Sequence, residues 1–134
     1  MALILVAICV VLLGGASADA QTNESEICVR DARAALDAQW LDAFGPAATV
    51  QGPRRIETIE REALAEIAKC SHCPQKPFGY LHPEWEQFKR LIRAGDCVVF
   101  FRSNPESWAG LYGREGYLLL RKGRILRTLV TLLN

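Results

Sequence analysis

Cys97-Val98-Val99-Phe100-Phe101-Arg102-Ser103 is dense in β-branched and aromatic residues and reads as a strand. Two further apolar runs, Tyr117–Arg121 and Arg124–Leu132, flank Lys122-Gly123 and read as a tight β-hairpin. Between strand and hairpin, Asn104-Pro105-Glu106 supplies a cap, a first-turn proline and a first-turn acid. That order announces a short helix to Tyr112 that stops at Gly113. The C-terminal part is therefore expected to be a small, mainly antiparallel three-stranded sheet with a short helix inserted after its first strand. On the last strand Leu126, Val130 and Leu132 fall on one face and Ile125, Leu129 and Leu133 on the other. Such a strand is expected to be covered on both sides, by the helices and a partner or within a homodimer.

Upstream the period changes. Ile27, Ala32, Leu36, Trp40 and Phe44 recur every four or five residues, an amphipathic helix capped by Asn23 and ended by Gly45-Pro46. Residues 45 to 53 read as a loop. A second helix is expected from near Pro53 to about Cys70. Ile56, Ile59, Ala63, Leu64 and Ile67 form its apolar face, and Glu57, Glu60, Arg61, Glu62 and Glu66 a solvated one. The two helices most simply form an antiparallel hairpin. Ser71 to Pro83 holds three prolines and a glycine and reads as an ordered loop. Pro83 then opens a third helix with Trp85, Phe88, Leu91 and Ile92 as its buried stripe. The expected class is α+β, an N-terminal helical hairpin and a third helix packed on the sheet.

The chain has 134 residues, 16 basic and 15 acidic side chains and a net charge of +1. Ala2 to Leu13 is an unbroken apolar run, followed by small residues up to Ala18-Asp19-Ala20. That is the layout of a secretory signal peptide over residues 1–20, with cleavage after Ala20 or Ala18, although its n-region lacks Lys and Arg. An uncleaved membrane tether is the alternative. Cleavage would leave a single domain, 21–134, without stable membrane insertion and with a net charge of +2. So small a charge gives no strong field for nucleic acid, and none is expected as a partner. Arg121, Lys122 and Arg124 cluster at the hairpin tip without interleaved aromatics.

An exported destination makes Cys28, Cys70, Cys73 and Cys97 disulfide candidates. Cys28 opens the first helix and Cys70 closes the second, so in an antiparallel hairpin both arrive at one end. Cys28 is therefore expected to pair with Cys70 or Cys73, and the remaining cysteine with Cys97; spacing alone leaves all three connectivities open. Cys70-Ser71-His72-Cys73 resembles the active-site pattern of thioredoxin-like oxidoreductases, which implies a redox dithiol. Here the pair follows a helix instead of preceding one, and a helix C-terminus disfavours thiolates. A zinc site built from Cys70, Cys73, His72 and His82 is a further alternative.

The polar segments 102–108 and 114–117 are the candidate binding surface, through Arg102, Asn104, Glu106, Trp108, Arg114 and Tyr117. A helix starting near Pro105 offers backbone amides to an anion, and Arg102 or Arg114 would complete the contact. The competing reading is structural: Asn104 caps, Trp108 and Tyr112 pack, and an arginine pairs with a nearby Glu. No nucleophile-elbow pattern surrounds Ser103 or Ser107, and neither a phosphate-binding glycine loop nor a calcium loop is present, so no cofactor is expected. The sequence favours a small exported, non-enzymatic binding domain that takes a protein partner or a small anionic ligand. The alternative is a thiol–disulfide or zinc protein acting through Cys70 and Cys73.

Overall fold

A computed structural model describes residues 18–44 and 48–133 of the chain. The elements run α1 (Ala18–Phe44), β1 (Thr49–Gln51), α2 (Ile56–Ile67), a 3-10 turn (Gly79–Leu81), α3 (His82–Leu91), β2 (Cys97–Arg102), α4 (Pro105–Ala109), β3 (Arg114–Arg121) and β4 (Arg124–Leu133). The fold is α+β, with a four-stranded antiparallel sheet in the order β1-β2-β3-β4.

The central strands explain the layering. Val99 and Phe101 of β2 and Leu118 and Leu120 of β3 pack against Cys28, Ala32 and Leu36 of α1. Their neighbours Val98, Tyr117 and Leu119, with Leu129 of β4, pack against Ile59 of α2 and Trp85 and Phe88 of α3. Alternating side chains point to opposite faces, so the near-continuous apolar runs at 97–101 and 117–120 serve two cores at once. The second core is strongly aromatic: the Trp85 ring lies 5.6 Å from that of Phe88 and 5.1 Å from that of Phe78. Burial there pushes the Tyr117 hydroxyl above its ordinary pKa.

This layering corrects the expected helical hairpin. Helices α1 and α2 lie on opposite faces of the sheet, because β1 separates them and pairs with β2 (Thr49 opposite Arg102, Gln51 opposite Phe100). The sheet thus has four strands instead of three. A three-residue strand with only Val50 buried carries too little alternation to be seen in the sequence. The Arg54 amide donates to the Val98 carbonyl (2.7 Å) and keeps the backbone on β2, and α2 begins at Ile56 and not at Pro53.

Strand β4 is covered on both sides, as expected, but the faces assigned to its residues need a second correction. Pairing with β3 shifts register between Glu115 and Gly116 and again between Leu119 and Leu120, and each shift turns the following side chains over. Ile125 and Val130 therefore face the α1 core and Leu129 faces the other, while Leu126, Leu132 and Leu133 are exposed at the sheet edge. The hairpin turn follows the sequence reading: Lys122 and Gly123 take φ of 50° and 74°, as a two-residue turn of the I′ type requires.

Among the helices, Asn23 lies inside α1 and does not cap it. Ile27, Leu64 and Leu91, each assigned to a buried stripe, are exposed. Glu60, assigned to the solvated face of α2, accepts from Trp85 Nε1 (2.9 Å) and Lys89 Nζ (2.6 Å) and ties α2 to α3. The Lys89 ammonium and Trp85 N–H hold its carboxyl below the ordinary range, and Glu60 and Glu86 raise Lys89 in turn. The side chains of Trp40 and Phe44, the end at Gly45-Pro46, and residues 1–17 of the expected signal, Cys9 included, lie outside the described residues.

Asp96, in the turn before β2, accepts two bonds from Arg121 (2.8 and 2.7 Å) and one from the Arg93 amide (2.8 Å), and its side chain is 2% exposed. Arg121 holds the carboxyl down at about 2, from an ordinary 3.8. Because the folded value is the lower one, the stability that Asp96 contributes as a carboxylate is fully present above pH 4 and is lost as the pH falls through 2. Arg121→Met is expected to show that loss already at pH 6, with the gap to wild type in urea unfolding closing toward pH 2. A gap constant from pH 6 to pH 2 would refute the assignment.

Two cysteine pairs stand at disulfide distance: Cys28–Cys97, with Cα atoms 6.3 Å apart, and Cys70–Cys73, at 5.4 Å. All four candidates are used, but neither pair is the expected one. The antiparallel hairpin would have brought Cys28 to Cys70. With α1 laid across the other face of the sheet, Cys28 instead meets the first residue of β2.

Candidate functional site

The segment after β2 folds into a polar knot built from its own sequence. Asn104 caps α4, with Oδ1 accepting from the Ser107 amide (2.8 Å). The buried hydroxyls of Ser103 and Ser107 lie 2.6 Å apart; Ser107 also donates to the Asn104 carbonyl (2.7 Å) and Ser103 accepts from the Arg114 amide (2.9 Å). Beside them Arg102 pairs with Glu115, its partner across β2 and β3, and stacks 4.1 Å from the centre of the Trp108 ring. Gly113 lies so close to that indole that a Cβ there would stand 2.7 Å from two of its ring atoms.

The structure thus gathers Arg102, Asn104 and Trp108 with Ser103, Ser107 and Glu115 of the same two segments. Glu106 is exposed on the first turn of α4, and Arg114 opens β3. Tyr117 does not belong there: it faces the α2 and α3 side, in ring contact with Phe78, Phe100 and Trp85. Every bond just described joins one protein group to another, so the knot holds α4 on the sheet. Helix α4 is one turn long, and its cap occupies the Ser107 amide, one of those expected to face an anion.

An open groove of about 780 Å³ lies elsewhere, between the N-terminal half of α1, the 53–57 segment and the tip of the β3–β4 hairpin. That volume is in the range of small-ligand sites. Ile27, Ile56, Ile92, Leu120 and the Cys28–Cys97 pair give it an apolar lining. Ile27 belongs to the apolar stripe of α1 yet is 39% exposed, because it borders this opening.

Charges of both signs rim the groove: Glu24 on α1, Arg55 and Glu57 at the start of α2, and Lys122 on the hairpin. Other lining charges are engaged, Arg54 with Glu62, Asp31 with Arg30 and Asp96 with Arg121. Sequence reasoning missed this site, because its walls come from segments spread between residues 21 and 123, none with a pattern of its own.

The remaining candidates lie in the loop after α2. Gln75 donates from Nε2 to the carbonyls of Cys70 (3.1 Å) and Cys73 (3.0 Å), and the Tyr80 hydroxyl donates to the His72 carbonyl (3.0 Å). His82 donates from Nδ1 to the Pro77 carbonyl (3.1 Å) and turns Nε2 toward Glu86 (3.7 Å). Cys70 and Cys73 meet each other, but among the described residues no three His, Cys, Asp or Glu side chains are placed to hold a metal ion.

Glu60, Glu86, Lys89, Asp96 and Arg121 are each shifted toward their charged forms, chiefly by a directly bonded partner. Such shifts fit ion pairing, whereas proton transfer near neutral pH calls for shifts the other way. Among the described residues no helix is long and apolar enough to cross a membrane. No protein-family model matches the chain, and neither curated proteins nor solved structures give a match.

Proposed function

We propose that this chain is an exported, non-enzymatic binding domain whose ligand site is the groove beside α1, not the 102–117 segment. The observation that carries the reading is Ile27. An apolar side chain on the core stripe of its helix is left at the mouth of an apolar-lined opening with a charged rim. That chemistry suits an apolar peptide segment with charges at its ends: Ile27, Ile92 and Leu120 take the apolar part, and Arg55 and Lys122 meet carboxylates. The 102–117 knot then serves to fix α4. Export is supported by the Ala2–Leu13 run with its small-residue boundary and by two cysteine pairs at disulfide distance.

An amide-resolved NMR titration with short apolar peptides, carrying free termini, tests the site. Shifts are expected at Ile27, Ile92, Leu120 and Lys122, and Ile27→Glu should weaken binding by at least about tenfold, since a charge placed on apolar lining costs more than 1.4 kcal/mol. Ile27 is exposed on its helix, so the variant should unfold within about 0.5 kcal/mol of wild type. Shifts centred on Arg102 and Trp108, or none at millimolar peptide, would reject the groove.

A further inference from the structure

We propose that Cys70 and Cys73 form a reversible thiol–disulfide exchange site in a loop that stays folded in both redox states, while Cys28–Cys97 is a permanent staple. The two pairs differ in the burial of Cys28 and in what each bond holds. Cys28 is buried in the α1 core with half-buried Cys97 packed against it, whereas Cys70 and Cys73 are both half-buried, on either side of exposed Ser71 and His72. An attacking thiolate must reach a sulfur along the bond axis, so the burial of Cys28 hinders attack on that pair even though it borders the groove.

The second difference is what each bond holds. Cys28–Cys97 joins residues 69 apart and ties α1 to the sheet, whereas Cys70–Cys73 spans three residues within one turn. Opening the short loop releases little chain entropy. Its shape also has other supports. Gln75 holds the carbonyls of both cysteines, and Tyr80 holds that of His72. Downstream, Phe78 anchors the loop in the aromatic core, with its ring 5.1 Å from that of Trp85 and 5.8 Å from that of Tyr117. These contacts keep the two sulfurs facing each other after the bond opens, so it can re-form.

The co-reactant is a low-molecular-weight thiol and its disulfide, such as the glutathione couple. One external thiolate attacks a sulfur of the pair; the Sγ–Sγ bond breaks and the departing cysteine thiolate takes a proton. A second external thiolate attacks the outer sulfur of the mixed disulfide, releasing the external disulfide and the other cysteine, which is protonated in turn. The protein bond gains two electrons and two external thiols lose them.

The test is stepwise reduction of the oxidised full-length protein with glutathione, trapping with N-ethylmaleimide and peptide mass spectrometry, with near-ultraviolet circular dichroism in parallel. Cys70 and Cys73 should take label at a reduced-to-oxidised glutathione ratio at least about tenfold lower than Cys28 and Cys97, with the aromatic dichroism unchanged. Oxidised glutathione should then restore the bond. Labelling of all four cysteines together, Cys28 and Cys97 first, loss of the aromatic signal on opening Cys70–Cys73, or failure to re-oxidise would each overturn the proposal. A Cys70→Ser/Cys73→Ser variant supplies the second readout: it should keep the wild-type dichroism and leave Cys28–Cys97 as resistant as before.

Discussion

Gly116→Ala is expected to prevent the sheet from forming. Gly116 lies on β3 opposite Val130, at the first register shift between β3 and β4. A Cβ there would overlap the Leu129 carbonyl oxygen and stand 2.9 Å from both the Leu129 carbonyl carbon and the Val130 Cα. All three are backbone atoms of the paired strand, so relief requires β4 to move and the ladder to break at the shift. The cost should exceed about 4 kcal/mol, among the largest effects a single methyl group can have. Gly95→Ala is the control: its φ is +85° with nothing within 4 Å of the added Cβ, so only conformational strain of about 1 kcal/mol is expected. The measurement is thermal and urea unfolding of the two variants. Cooperative unfolding of Gly116→Ala within about 1 kcal/mol of wild type would show that β4 is not paired in this register.

The second large effect is that of Cys28→Ala/Cys97→Ala. Cross-linking residues 69 apart is worth roughly 4 kcal/mol in the loop-closure relation, against roughly 2 for the three-residue separation of Cys70 and Cys73. A domain of this size should lose roughly 15 °C in Tm. Because the bond fastens α1 to β2, the variant should lose amide-exchange protection in α1 first and keep it in α2 and α3 on the opposite face. Equal losses of Tm on removing either pair would contradict this division between staple and exchange site.

Much of the secondary structure was legible from local chemistry. Asn104-Pro105 marked α4 because a cap, a first-turn proline and a hydrogen-bonded amide lie within four residues. Lys122-Gly123 marked the hairpin because both residues must take positive φ. The site was far less legible. Arg102 and Trp108 stand out in the sequence as ligand-binding types, yet they stack on each other beside Glu115. Ile27 reads as one more core residue, and only the gap between α1 and the hairpin tip distinguishes it.

By itself the sequence determined the class of the fold, most of its helices and strands, and the four cysteines available for pairing. Each rests on interactions within a few residues, or on a periodicity that any backbone of that type must present to a core. Tertiary structure alone decided the rest: that α1 and α2 take opposite faces of the sheet, that a three-residue strand separates them, and that Cys28 therefore reaches Cys97 and not Cys70. Those outcomes depend on which apolar face finds which partner. The Val99–Phe101 and Val98–Leu119 sides of the sheet are both apolar, and only packing the whole chain assigns a helix to each.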